Sequence, residues 1–249
     1  MPTQVEFTFF GDLLTLLRRP HQDGSLVYPL QDTPAVKDAI EACGIPHTEV
    51  DLLVCDQVSI DWTYRLGGGE QVLVYPPGYP VAIAQAQHLA ACPSSARFIL
   101  DVHLGKLASK LRLLGFDCLY RNDYDDREIV DIALQDERII LTADRGILKH
   151  RDVFRGLLIR SRMVDRQVDE VLKRFHLYAQ VKPFSRCVAC NGLLAEVSKD
   201  EIVDRLLPGT ARTYLHFHQC QECGKLYWRG AHFNHLSPWL QQIGAEIEK

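Results

Sequence analysis

The sequence predicts an α/β protein: a parallel-sheet domain, with a small α+β domain before it and a short cysteine-bearing module after it. Three observations lead there. Apolar strand-like runs alternate with amphipathic helical stretches between residues 96 and 180. A strand, a helix and further strands occupy residues 1–80. Four of the eight cysteines stand as two Cys-x-x-Cys pairs near the C-terminus. A chain of 249 residues is long enough for two or three such domains. The boundaries read as 1–80, a linker at 81–95, then 96–180 and 181–249.

In the first segment, Val5-Glu6-Phe7-Thr8-Phe9 alternates with the period of a strand. Thr33 is a candidate N-cap, with Pro34 at the first position of a helix through Ile40 and Gly44 as its stop. Strands at 49–55 and 71–75 follow, separated by a Gly67-Gly68-Gly69 turn. The pattern resembles the ubiquitin-like β-grasp fold, and within it the small sulfur carriers. Those use a free terminal Gly-Gly. Here the glycines are internal, and a turn needing positive φ accounts for them. The resemblance implies a docking or regulatory module with a protein partner. Pro76-Pro77-Gly78-Tyr79-Pro80 reads as a linker and 81–91 as a connecting helix.

Charge is uneven. Residues 1–91 carry 4 Lys/Arg against 11 Asp/Glu, a net of −7. Residues 92–180 carry 16 against 14 and residues 181–249 carry 8 against 7, nets of +2 and +1. The acidic N-terminal part does not suit nucleic acid, while local basic patches beyond it suit a polyanion. No apolar run reaches the roughly 20 residues of a membrane span. Val5 to Phe10 is too short for a signal peptide, so a cytoplasmic location is expected.

In the middle segment, Arg97 to Leu100 is a strand ending at Asp101. Leu104, Leu107, Ala108, Leu111 and Leu114 form one face of a helix stopped by Gly115. Strands are expected at 118–120, 138–142 and 157–159. Asp125 or Asp126 caps a helix through Glu137 with Ile129, Val130, Ala133 and Leu134 inward, and a last helix spans 165–175. Repeated β-α-β units imply parallel strands with right-handed crossovers.

The pairs Cys187/Cys190 and Cys220/Cys223 have the spacing of a four-thiolate zinc site, structural because no coordination position stays open. Gly192 and Gly224 follow the pairs and suit tight turns, and the segment between them has room for a β-hairpin. The alternative is four unrelated buried thiols. His216, His218, His232 and His235 lie nearby as surface groups, partners of the ligands or a replacement ligand. Trp228 reads as core, or with Arg229 and His232 as a nucleotide contact. Cys43, Cys55, Cys92 and Cys118 read as reduced, mostly buried thiols.

Asp101 and Asp144 fall at or just past strand ends, where ligands of open parallel sheets bind, and Asp126 opens a helix. Converging carboxylates repel unless a hard cation such as Mg²⁺ or Mn²⁺ neutralises them. Caps and turns explain each aspartate singly. The stretch "FILDVHLGKLASKLRLLGFDCLYRNDYDDREIVDIALQDERIILTADRGIL" resembles the Mut-seven C-terminal RNase-like family, a branch of the PIN-type nucleases. The "RCVACN…CQECGKLYWRGAH" segment is similar to that family's zinc ribbon, and a β-grasp module in front is a known bacterial arrangement of it.

The resemblance implies a PIN-like domain in which Asp101, Asp126 and Asp144 are catalytic and hold Mg²⁺ or Mn²⁺. A further acid of PIN sites has no clear match, with Asp123, Asp125 and Glu128 as substitutes, and Lys110 stands where an aromatic residue is common. Lys106, Lys110, Arg112, Arg145 and Lys149 are candidates for pairing RNA phosphates, and His103 for metal or substrate contact. The expectation is a ribonuclease. An RNA-binding adaptor and a ubiquitin-like accessory are the other readings.

Overall fold

The computed structural model describes residues 4–18, 23–81, 83, 86–89 and 96–230. The first elements are β1 (Gln4–Phe9), β2 (Ser25–Pro29), α1 (Val36–Ala42), β3 (Leu52–Cys55), β4 (Val58–Ile60) and β5 (Gln71–Tyr75). Then come β6 (Arg97–Leu100), α2 (Gly105–Leu113), β7 (Asp117–Leu119) and α3 (Asp126–Gln135). They are followed by β8 (Ile139–Thr142), α4 (Arg145–Leu148), β9 (Gly156–Leu158) and α5 (Val164–Arg174). The last are β10 (Leu194–Val197), α6 (Lys199–Ile202), α7 (Pro208–Thr213), β11 (Phe217–Cys220) and β12 (Leu226–Trp228). They form two compact units that interleave along the chain: Met1–Ser94 with Asp126–Ile159, and Ser95–Asp125 with Arg160–Lys249. Among the described residues no helix is long and apolar enough to cross a membrane.

The first unit contains a five-stranded mixed sheet in the order β2-β1-β5-β3-β4. β1 runs parallel to β5 and antiparallel to β2, and β3 pairs antiparallel with β4 and β5. Alternation along β1 buries Val5, Phe7 and Phe9 on one face. Val36, Ala39 and Ile40 of α1 are buried at the i, i+3, i+4 spacing of a core-facing stripe. The expected cap is displaced: Ala35, not Thr33, is the N-cap, and it offers no side-chain bond. The Pro34 carbonyl accepts the Leu66 N–H and Ala35 bridges Arg65, so the entering chain is held extended past Pro34. Gly44 stops the helix with φ +109, as its lack of Cβ permits.

All four residues of β3 are buried, because both faces of the sheet are covered there. Leu52, Val54 and Tyr75 gather Phe10, Leu73, Val81, Ile83 and Ala86. The helix expected over 81–91 falls partly outside the described residues, and those described carry none. Instead the segment is tied to the sheet: the Leu89 N–H donates to the Asp51 carbonyl, and His88 Nδ1 lies 2.7 Å from Asp51 Oδ2. The proline-rich stretch before it is also packed, with Tyr79 against Phe10 and Tyr75.

The remainder of the first unit pairs β8 with β9 in parallel and sets α3 and α4 against them. α3 buries Ile129, Val130 and Ala133, but Leu134, expected inward, is exposed. At 100° per residue it lies at the rim of the stripe the other three define. A 3-10 turn at His47–Glu49 joins this part to the mixed sheet. His47 Nδ1 lies 2.6 Å from Glu41 Oε1 and Nε2 lies 2.6 Å from the Val153 carbonyl. The buried Glu49 accepts the Leu158 N–H at 2.7 Å.

In the second unit, β6 and β7 pair in parallel and α2 packs on α5. Leu104, Leu107, Ala108, Leu111 and Leu114 are buried as the periodicity predicts. Gly115 ends α2 with φ +92, beside the Lys182 carbonyl, where a side chain would collide. β10, β11 and β12 form a three-stranded antiparallel sheet in that order.

Candidate functional site

The four cysteines come together in the second unit. Cys187 and Cys190 lie on a turn before β10, Cys220 ends β11, and Cys223 lies on the turn into β12. Their sulfurs all lie within 4.8 Å of one another, with Cys187–Cys223 at 3.7 Å and Cys190–Cys220 at 3.4 Å. A tetrahedron with Zn–S bonds of about 2.3 Å requires sulfurs about 3.8 Å apart, so the donor set fits that ion. Each pair folds as the same turn: the Asn191 N–H donates to the Cys187 carbonyl and the Gly224 N–H to that of Cys220. The left-handed residues are Asn191 (φ +72) and Gly224 (φ +70). Asn191 thus takes the place expected of Gly192, and Asn tolerates that region. At Gly192 a Cβ would stand 2.9 Å from Cys220 Sγ, so this glycine serves close approach.

Neighbours hold the turn from several sides. Asn191 accepts the Cys118 N–H and donates to Asp117 Oδ1, both at 2.9 Å. The Tyr227 hydroxyl lies 3.0 Å from Cys187 Sγ and accepts the Val188 N–H. Burial pushes the Cys187 thiol up, but the Tyr227 hydroxyl and the N–H groups of Cys190 and Ala189 outweigh it and bring it down to about 6. Burial and the neighbouring sulfurs push Cys190 up to about 12. The protein's own groups favour the thiolate at Cys187 and oppose it at Cys190, where a bound cation would supply the opposing charge.

The segment between the pairs is not a simple hairpin. α6 and α7 are inserted between β10 and β11. His216 is well exposed with Glu196 3.9 Å away, and His218 lies on β11. His232, His235 and Cys92 lie outside the described residues. Cys43, Cys55 and Cys118 are buried, as expected. Trp228, expected in the core, is 40 % exposed against Tyr214 and Phe217, because β12 is an edge strand.

Asp101 directly follows β6 and is 5 % exposed. Its Oδ1 accepts the His103 N–H at 2.8 Å, which fixes the carboxylate over a 3-10 turn. Asp144 is the N-cap of α4: its Oδ1 accepts the Gly146 N–H at 2.7 Å, and its own N–H donates to Thr142 Oγ1. Asp126 is the exposed first residue of α3. With Gly146, Ile147 and His150 it lines a cleft of about 520 Å³ in the first unit. Asp126 and the start of α4 therefore border one cavity, and Asp101 belongs to the second unit. Asp123 pairs with Arg121 at 2.9 Å, and Glu128 lies in the first turn of α3. Among the described residues, the cysteine set is the group of candidate ligands whose atoms close on one another.

The basic candidates divide. Lys106 is exposed, and Lys110 is paired with Asp165 at 3.1 Å. Arg145 donates to the Leu16 carbonyl at 2.8 Å and Lys149 to the Glu41 carbonyl. Arg112 is a correction. It is buried, with Nε on the Cys118 carbonyl and Nη1 on the carbonyls of Val188 and Ala189, so it braces the cysteine turn and does not face RNA. Asn191 and Tyr227 escaped the reading of the sequence. An Asn directly after a Cys-x-x-Cys pair is a local sign of a left-handed turn residue, whereas nothing near Tyr227 marks it.

A family model described as the Mut7-C RNAse domain matches residues 96–240, and one described as Mut7-C ubiquitin matches residues 2–81. No curated protein matches the sequence.

Proposed function

The chain belongs to the Mut7-C RNAse domain family, with that family's ubiquitin-type domain in front, and from this premise we propose that it is a metal-dependent ribonuclease with a PIN-like active site. The observation that carries the reading is the family match over 96–240, with a carboxylate at the end of β6 and another just past β8. Asp101, Asp126 and Asp144 serve Mg²⁺ or Mn²⁺. A bound ion of this kind offsets charge building on the phosphate and lowers the pKa of a water. The protein's part is orientation. The His103 and Gly146 N–H groups each hold one oxygen of Asp101 and Asp144, so these carboxylates need little reordering to accept a ligand. Water attacks the phosphodiester, leaving 5′-phosphate and 3′-hydroxyl ends. The cysteines hold a structural Zn²⁺, and the ubiquitin-type domain meets a protein partner.

The test is cleavage of a labelled RNA pool with Mn²⁺, Mg²⁺ or EDTA by wild type and Asp144→Asn. Asn is as good an N-cap as Asp, so α4 is kept. A loss of about 100-fold or more is expected, the upper end of what weakening a metal ligand's support costs. Undiminished cutting by the variant rejects the reading. The lack of a clear fourth acid favours a second reading, an RNA-binding adaptor, which predicts salt-sensitive binding without cleavage.

A further inference from the structure

The cleft at Asp126 adjoins a second cavity of the same unit. The two share Val130 and Asp152, and the second, of about 430 Å³, is walled by Ala133, Leu134 and Phe154. Phe154 lies on the loop between α4 and β9 and is 76 % exposed, and Leu134 beside it is 40 % exposed. The stem of this loop is fixed on both sides of the ring. The buried Val153 gives its carbonyl to His47, and the Arg155 carbonyl accepts the Ile140 N–H at 3.2 Å. The aromatic plane is therefore presented to solvent on ordered backbone, which keeps the ordering cost of a contact small.

The charge around it is specific. The loop Lys149 to Arg155 holds three cations and one anion, with Arg151 and Arg155 on either side of the ring, while the walls of the two cavities add Arg127 and Arg138 and the carboxylates of Asp126, Asp131 and Glu137. Arg151 is almost fully exposed, and its 3.6 Å pair with Asp152 is a surface pair that binds it weakly. An exposed ring among arginines, continuous with a cleft that starts at a candidate metal-binding carboxylate, suits a polyanion whose bases are unpaired. A duplex hides its base faces, and an apolar peptide has no use for the cations.

We propose that Phe154, flanked by Arg151 and Arg155, is a stacking subsite for an unpaired base of single-stranded RNA whose backbone enters the cleft at Asp126. The subsite rests on the ribonuclease reading for its cleft but is testable apart from it.

The probe is a fluorescein-labelled oligouridylate, titrated in EDTA against the full chain and followed by anisotropy. The same oligomer is then incubated with Mn²⁺ to score cutting. Phe154→Ala is expected to weaken binding about 5- to 150-fold, the range for one base–aromatic stack. Phe154→Trp should restore it and Phe154→Leu should not, while duplex RNA is indifferent to all three. Arg151→Gln should lower the salt dependence by about one counterion. An unchanged unfolding midpoint of each variant keeps folding out of the comparison. Wild-type affinity in Phe154→Ala, or full rescue by Leu, overturns the subsite, the latter in favour of an apolar protein-docking patch. No binding by wild type overturns it as well. Phe154-dependent binding without any cutting leaves the subsite standing and overturns the ribonuclease reading. Cutting that ignores Phe154 does the reverse.

Discussion

Arg112 keeps a full charge almost out of water because three carbonyls receive it. Two of them belong to the first cysteine turn, so the side chain ties α2 to that turn. Arg112→Met leaves those carbonyls without a donor, and a loss of about 2–3 kcal/mol is expected in urea unfolding of the metal-loaded protein. Lys should recover little of it, since an ammonium cannot match the reach of the planar fork. Asn191 combines a left-handed backbone with two side-chain bonds. Competition with a chelator should rank metal affinity as wild type, then Asn191→Gly, then Asn191→Ala, because Gly keeps only the backbone and Ala neither. Cysteine spacing and the aspartates after β6 and β8 are visible in sequence because the chemistry repeats over a few residues. Arg112 is not, because a cation on an amphipathic helix looks solvated until partners 76 and 77 residues away are known.

At the scale of elements, the three-stranded sheet has little core of its own. Phe217 and Cys220 are its buried strand residues, and Ile202 of α6 adds one more. On the zinc-site proposal, a metal held by the four cysteines supplies much of its stability. Stripping the ion, or replacing Cys190 with Ser, should remove amide-exchange protection from β10–β12 and leave β1 and β5 protected. Equal protection with and without metal would count against a structural role. α6 was legible in principle from its Ser-x-x-Glu signature: Ser198 Oγ caps the helix by accepting the Glu201 N–H, and its hydroxyl donates to the Glu201 carboxylate. The hairpin expectation overlooked it. β2 and β4 went unread for another reason. Val27 and Val58 are exposed, so neither strand shows clean alternation, and pairing with a neighbour defines it instead. The long helices read correctly from their strong periodicity, and β6 from its run of consecutive apolar residues.

For the whole molecule, the mixed sheet of residues 4–75 and the β8–β9 pair share one compact unit. His47 and Glu49 are its fasteners, spending buried polar groups on the Val153 carbonyl and the Leu158 N–H. Glu49→Ala should cost about 1–3 kcal/mol, and Glu49→Gln, which keeps an acceptor, should cost less. Removing residues 1–81 should leave 96–249 without native-like dispersion in its NMR spectrum. A well-dispersed spectrum would make the N-terminal part a detachable tag. The interleaving also bears on how the chain is made. A ribosome releases residues 1–94 before the rest of their unit exists, and the 31 residues of 95–125 come between. At about 5–20 residues per second the 64 residues from 94 to Leu158, the partner of Glu49, take roughly 3–13 s. During that time the nascent sheet carries His47 and Glu49 with no strand to fasten, a window in which a chaperone has something to hold.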